Sequence, residues 1–246
     1  MSREISVKAC GMTRVEDAVA AAALGASHVG FVFAESPRRA SVELAAACAA
    51  ALPAAVGRIG VFVTAGGGAN GPSARAGGGA SELIAIADRA RLTGFQLHGE
   101  ASSTLAAQLR AARPGLALLG ALDVDKALGS GQIGEFLRVF DVILFDAPRI
   151  PGRARAPLDL AVLERVLSDI APNDFAPNDF APAARKRFWI AGGLRAETVA
   201  SAVARVAPGG VDVASGVESA PGIKNADAMR DFIRAARGIG HGHRSR

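Results

Sequence analysis

Eight times along this chain a short run rich in valine, isoleucine and phenylalanine is followed by a longer, alanine- and leucine-rich run with helical spacing. That alternation marks repeated βα units, since a strand covered on both faces is continuously apolar whereas a helix needs only one apolar stripe. Strands are expected at residues 5–9, 28–33, 57–63, 94–98, 117–122, 142–145, 187–191 and 211–214. Helices are expected at 14–24, 42–52, 82–91, 102–112, 126–139, 158–170, 196–206 and 226–237. An open doubly wound sheet also uses parallel βα units. Eight of them, with no GxGxxG after the first strand, favour an α/β chain closed into a (β/α)8 TIM barrel.

Barrels of this kind often run to 246 residues as one domain, and half of these residues are apolar. The expected organisation is a single barrel over 1–237 and a basic flexible tail over 238–246. Two segments interrupt the pattern. Residues 65–80 form a glycine-rich stretch that buries too little surface to order itself, and 171–180 repeat the pentapeptide APNDF. The repeat lengthens a connection beneath the barrel, away from the chemistry, so it reads as a tolerated insertion.

Two cysteines, Cys10 and Cys48, are too few for a disulfide framework, and residues 1–10 lack a long apolar run. A cytoplasmic setting is therefore expected. No apolar stretch approaches the roughly 18 to 20 residues that span a bilayer, so no membrane partner is expected. The net charge of +5 owes much to Arg234, Arg237, Arg244 and Arg246 at the end of the chain. With no aromatic platform beside these arginines and no tyrosine anywhere, nucleic acid is not the expected partner. A small phosphorylated molecule is, bound by a monomer or homodimer.

Active sites of such barrels lie at the C-terminal ends of the strands. Glycines there let backbone N–H groups approach an anion, and the loops after strands 7 and 8 are the usual phosphate site. Gly192, Gly193 and Leu194 after strand 7, with Ser215 and Gly216 after strand 8, are the candidate cradle. Cys10 closes strand 1, where a thiolate accepts a proton if neighbouring positive groups lower its pKa. Asp146 follows the apolar run Val142, Ile143, Leu144, Phe145, where burial can raise a carboxyl into the range of a general acid. Arg38 has the planar fork that clamps a carboxylate or phosphate. His98 closes strand 4 and reads as a loop-orienting residue, and Cys48 as a small core residue. The sequence has no metal-ligand cluster, no serine nucleophile elbow and no P-loop, which leaves acid–base chemistry without cofactor or metal as the expectation.

These residues stand in motifs. They are Val7-Lys8-Ala9-Cys10-Gly11-Met12-Thr13, Gly30-Phe31-Val32-Phe33 with Ser36-Pro37-Arg38, Gln96-Leu97-His98-Gly99-Glu100, Ala191-Gly192-Gly193-Leu194, and Val211 through Glu218. Over nearly its whole length the chain resembles phosphoribosylanthranilate isomerase. The resemblance implies an Amadori rearrangement in tryptophan biosynthesis, with Cys10 as general base and Asp146 as general acid. One departure follows strand 6. The family has a glycine-rich run there, whereas this chain has Pro151-Gly152-Arg153-Ala154-Arg155-Ala156-Pro157. Arg153 and Arg155 either replace backbone donors to the phosphate with side-chain cations or mark a damaged cradle, as in a divergent sugar-phosphate-binding barrel with reduced or no turnover. The related Amadori isomerase of histidine biosynthesis would be expected to carry an aspartate where Cys10 stands.

Overall fold

The computed structural model describes residues 5–64, 79–99, 103–127, 132–147, 156–170 and 187–238. The expectations for 65–78, for the APNDF repeat and for 239–246 fall outside these residues. Eight parallel strands, β1 (Ser6–Cys10), β2 (His28–Val32), β3 (Gly57–Thr64), β4 (Gly94–Gly99), β5 (Ala117–Asp123), β6 (Val142–Asp146), β7 (Phe188–Ile190) and β8 (Gly210–Val213), close into a barrel in sequence order. Closure sets Lys8 of β1 opposite Asp212 of β8.

Alternation along each strand divides the apolar residues between two cores. In β6, Leu144 joins Ile59, Leu119 and Trp189 inside the barrel, while Ile143 and Phe145 face the helical layer. Burying such a side chain contributes roughly 1.5 to 3 kcal/mol. It follows from the same alternation that Lys8 and Cys10, two residues apart, share the barrel interior, as do Leu144 and Asp146.

Among the described residues the helices are α1 (Val15–Ala23), α2 (Val42–Ala51), α3 (Ala80–Ala90), α4 (Ser103–Ala112), α5 (Val124–Ala127), α6 (Gln132–Val139), α7 (Leu160–Ile170), α8 (Ala196–Val206) and α9 (Ala226–Ala236). Ser41 and Asn225 begin α2 and α9 by accepting from the backbone N–H of Leu44 and Ala228, at 3.1 and 3.0 Å. The expected glycine-rich stretch reached Ala80, yet Ala80 already opens α3. The single helix expected over 126–139 is two described pieces, α5 and α6.

After β8 the chain makes a 3-10 turn (Ser215–Val217) and a small antiparallel hairpin, β9 (Glu218–Ala220) and β10 (Ile223–Lys224). Strands of three and two residues are too short to carry a readable alternation, and the hairpin is absent from the sequence reading for that reason.

Candidate active site

The C-terminal mouth of the barrel holds a cavity of about 130 Å³. Cys10, Arg38, Asp146 and His98 line it, as do all five residues of the candidate anion cradle. Cys10 and Asp146 enter from β1 and β6, which are separated by β7 and β8 on one side and by β2 to β5 on the other. They therefore come at a common space from well-separated parts of the rim. Cys48 is buried in α2, away from this cavity.

Beneath the thiol lies Lys8, with no exposed surface. Its Nζ is 3.0 Å from Asp212 Oδ1 and donates to Gln96 Oε1 at 2.8 Å. Burial pulls the ammonium down, but the nearby Asp212 and Cys10 outweigh it and hold Lys8 above its ordinary value. Burial acts on Cys10 in the other direction and pushes the thiol up. Lys8 draws it back and Asp212 opposes that, and the net position stays above the ordinary one. A thiol serves as a base most readily when it is lowered. The positive groups are present, but desolvation exceeds their effect.

Arg38 is held on one edge. Its Nε donates to both carboxylate oxygens of Glu218, at 2.8 and 3.1 Å, and its Nη2 donates to Oε2 at 2.7 Å. Lys224, buried, donates to the same carboxylate at 2.8 Å and to the Ala214 carbonyl at 3.1 Å. Burial alone would raise Glu218, yet hydrogen bonds from Arg38 and Lys224 hold it below the usual carboxylate range. The fork occupies Nε and Nη2, and Nη1 is not used in this pairing.

Gly192 has φ +94°, and a Cβ there would stand 2.9 Å from Asp146 Oδ1 and 2.6 Å from the Ala147 nitrogen. Only glycine lets loop 7 lie against the strand-6 carboxyl in that conformation. At Gly216 a Cβ would fall 2.0 Å from the Leu194 carbonyl oxygen, so loops 7 and 8 meet there backbone to backbone. The Leu158 N–H donates to the Gly192 carbonyl at 3.1 Å and ties loop 7 to the entry of α7. Arg153 and Arg155 lie outside the described residues.

Sequence reasoning missed Lys8, Gln96, Asp212, Glu218 and Lys224 as parts of this site. Lys8 and Asp212 did leave a signal, a charge at an inward position of an otherwise apolar strand. Lys224 left none, because it reaches the mouth only through the hairpin.

Fold and mouth together define a (β/α)8-barrel enzyme with a thiol, a carboxyl and a glycine-lined cradle at the C-terminal ends of its strands. The family model described as N-(5'phosphoribosyl)anthranilate (PRA) isomerase matches residues 7–235. The N-(5'-phosphoribosyl)anthranilate isomerase of Rubrobacter xylanophilus is 35% identical over 234 residues, covering 94% of this chain and 98% of that protein. The crystal structure of phosphoribosyl anthranilate isomerase from Thermotoga maritima superposes with a TM-score of 0.74 at 31% identity, covering 96% of this chain and all (100%) of the other. A further isomerase structure, in complex with reduced 1-(o-carboxyphenylamino)-1-deoxyribulose 5-phosphate, has a TM-score of 0.72 at 30% identity, again with 96% of this chain and 100% of the other covered. The chain belongs to the N-(5'-phosphoribosyl)anthranilate isomerase family.

Proposed function

We propose that this protein converts N-(5'-phosphoribosyl)anthranilate into 1-(2-carboxyphenylamino)-1-deoxyribulose 5-phosphate in tryptophan biosynthesis, as a cytoplasmic monomer or homodimer. The observation that carries the reading is the meeting of Cys10, Asp146 and the glycines of loops 7 and 8 around one cavity. Family membership and the likeness to a structure holding a carboxyphenylamino pentulose phosphate support the choice of substrate.

In this reading Asp146 gives its proton to the furanose ring oxygen as the C1'–O bond breaks, and the anilinic nitrogen's lone pair forms an iminium. The iminium acidifies the C2' proton, and the Cys10 thiolate removes it. The resulting enolamine tautomerises, with loss of the 2'-hydroxyl proton and protonation at C1', to the amino ketone. Atoms balance with no addition or loss, as an isomerisation requires. Loops 7 and 8 hold the phosphate through backbone N–H groups, and Arg38 meets the anthranilate carboxylate while Glu218 steadies its other edge.

Steady-state turnover of the purified chain tests this. Cys10→Ala and Asp146→Asn are expected to lower kcat by about 10²- to 10⁴-fold with KM little changed, the usual worth of a general base or acid. Substrate binding without product from the unaltered chain would assign it instead as a sugar-phosphate-binding barrel. Rescue of a tryptophan-requiring strain that lacks the isomerase is the corresponding test in cells.

A further inference from the structure

A fully buried ammonium is an expensive way to fill a barrel layer, because apolar residues of similar volume avoid the desolvation cost of an ion pair. Lys8 nevertheless occupies that layer directly below Cys10. The two side chains lean into one hollow over β2, where a Cβ on Gly30 would stand 2.7 Å from Cys10 Sγ and 3.1 Å from Lys8 Cε. Residue 30 makes room for both by having no side chain. Lys8 is locked from two other strands, by Asp212 of β8 at 3.0 Å and Gln96 of β4 at 2.8 Å.

The charged groups that face Cys10 can be named by element. Lys8 lies below it on β1, Asp212 beside it on β8, Lys224 approaches from β10, and Arg38 from the loop after β2. Glu218 binds both Arg38 and Lys224, as Asp212 binds Lys8, so each of these cations is paired with a carboxylate. Asp146, His98 and Glu35 line the same cavity, from β6, β4 and the loop after β2. Among these, Lys8 is the cation on the thiol's own strand, two residues away inside the barrel.

We propose that Lys8, held by Asp212 and Gln96, is a positioning residue that sets how readily Cys10 releases its proton. The proposal rests on the reading of Cys10 as the base and adds what controls it. Asp212 has two effects: it fixes the ammonium beneath the sulfur, and its negative charge opposes the thiolate. Removing the cation and removing the anion must then move the thiol in opposite directions. A residue that merely fills space predicts no such opposition.

The test is the ultraviolet absorbance of the thiolate followed against pH in the intact, ligand-free protein. The chain has no tyrosine, so no tyrosinate band interferes. Cys48, pushed up to about 11, is removed by using a Cys48→Ala background. Lys8→Met is expected to raise the Cys10 midpoint by about one to two pH units, and Asp212→Asn to lower it by about one. A midpoint that stays put or falls in a folded Lys8→Met protein overturns the proposal. If thermal melting shows that Lys8→Met does not fold, Asp212→Asn decides alone: a fall supports the proposal, and no change or a rise overturns it. Because the absorbance needs no turnover, the outcome is separate from the isomerase assay. Opposite shifts in a protein that makes no product leave Lys8 in control of the thiol and remove only the reaction assigned to it.

Discussion

The floor of the barrel shows how a single side chain ties stability to pH. His28 sits with Nδ1 2.9 Å from Ser27 Oγ and its ring edge-on to Trp189, centroids 5.1 Å apart. Burial, with the Lys8 charge adding to it, lowers the imidazole to about 4. The unfolded chain binds this proton near the ordinary value of 6.5 and the folded chain does not. The stabilisation is therefore complete above the unfolded pKa and is lost as pH falls through the window down to the folded one. Urea unfolding of the native protein and of His28→Gln, compared between pH 7 and pH 4, should differ in pH dependence by about 3 kcal/mol. Equal pH dependence in the two would mean that His28 is solvated in the folded state.

At the scale of elements, loops 7 and 8 act as one unit because Gly216 admits the Leu194 carbonyl against its backbone. Gly216→Ala places a methyl group on that oxygen and forces the loops apart, while Cys10 and Asp146 stay on strands that do not move. The phosphate does not react, so the loss should fall on KM by about ten- to a hundredfold and leave kcat within a few-fold. The arginines of loop 6 make a contrasting case. If Arg153 and Arg155 replace backbone donors, the double variant Arg153→Ala/Arg155→Ala should also raise KM, by a similar roughly tenfold or more, and the effect should shrink with added salt. Tight binding by the double variant at low salt would leave the phosphate to loops 7 and 8.

For the molecule as a whole, the same desolvation that lets the barrel close over an apolar interior also holds Cys10, the base in the proposed reaction, mostly protonated at neutral pH. A thiol above its ordinary value means the competent thiolate grows with pH. The rate constant kcat/KM should then climb by close to tenfold per pH unit between about pH 7 and 8.5, before the thiol itself titrates. A flat profile across that range would show that the proton leaves Cys10 only after substrate has bound, or that another group is the base.

Sequence by itself determined the number and order of the βα units and which residues close the strands, because side-chain alternation and helical period are local properties. The places of Cys10, Asp146, Gly192 and Gly216 at the barrel mouth were legible on that account, since each follows a recognisable apolar run and falls at the C-terminal end of its strand. Tertiary structure decided what meets what. Lys8 and Gln96, 88 residues apart, and Asp212 on the last strand come together only when β8 pairs with β1, and no local pattern encodes that register. Arg38 meets Glu218 only through the unforeseen hairpin. The direction of the Cys10 shift was likewise beyond the sequence, since a cation beside a thiol lowers it and burial raises it. Which prevails depends on how completely the closed barrel excludes water.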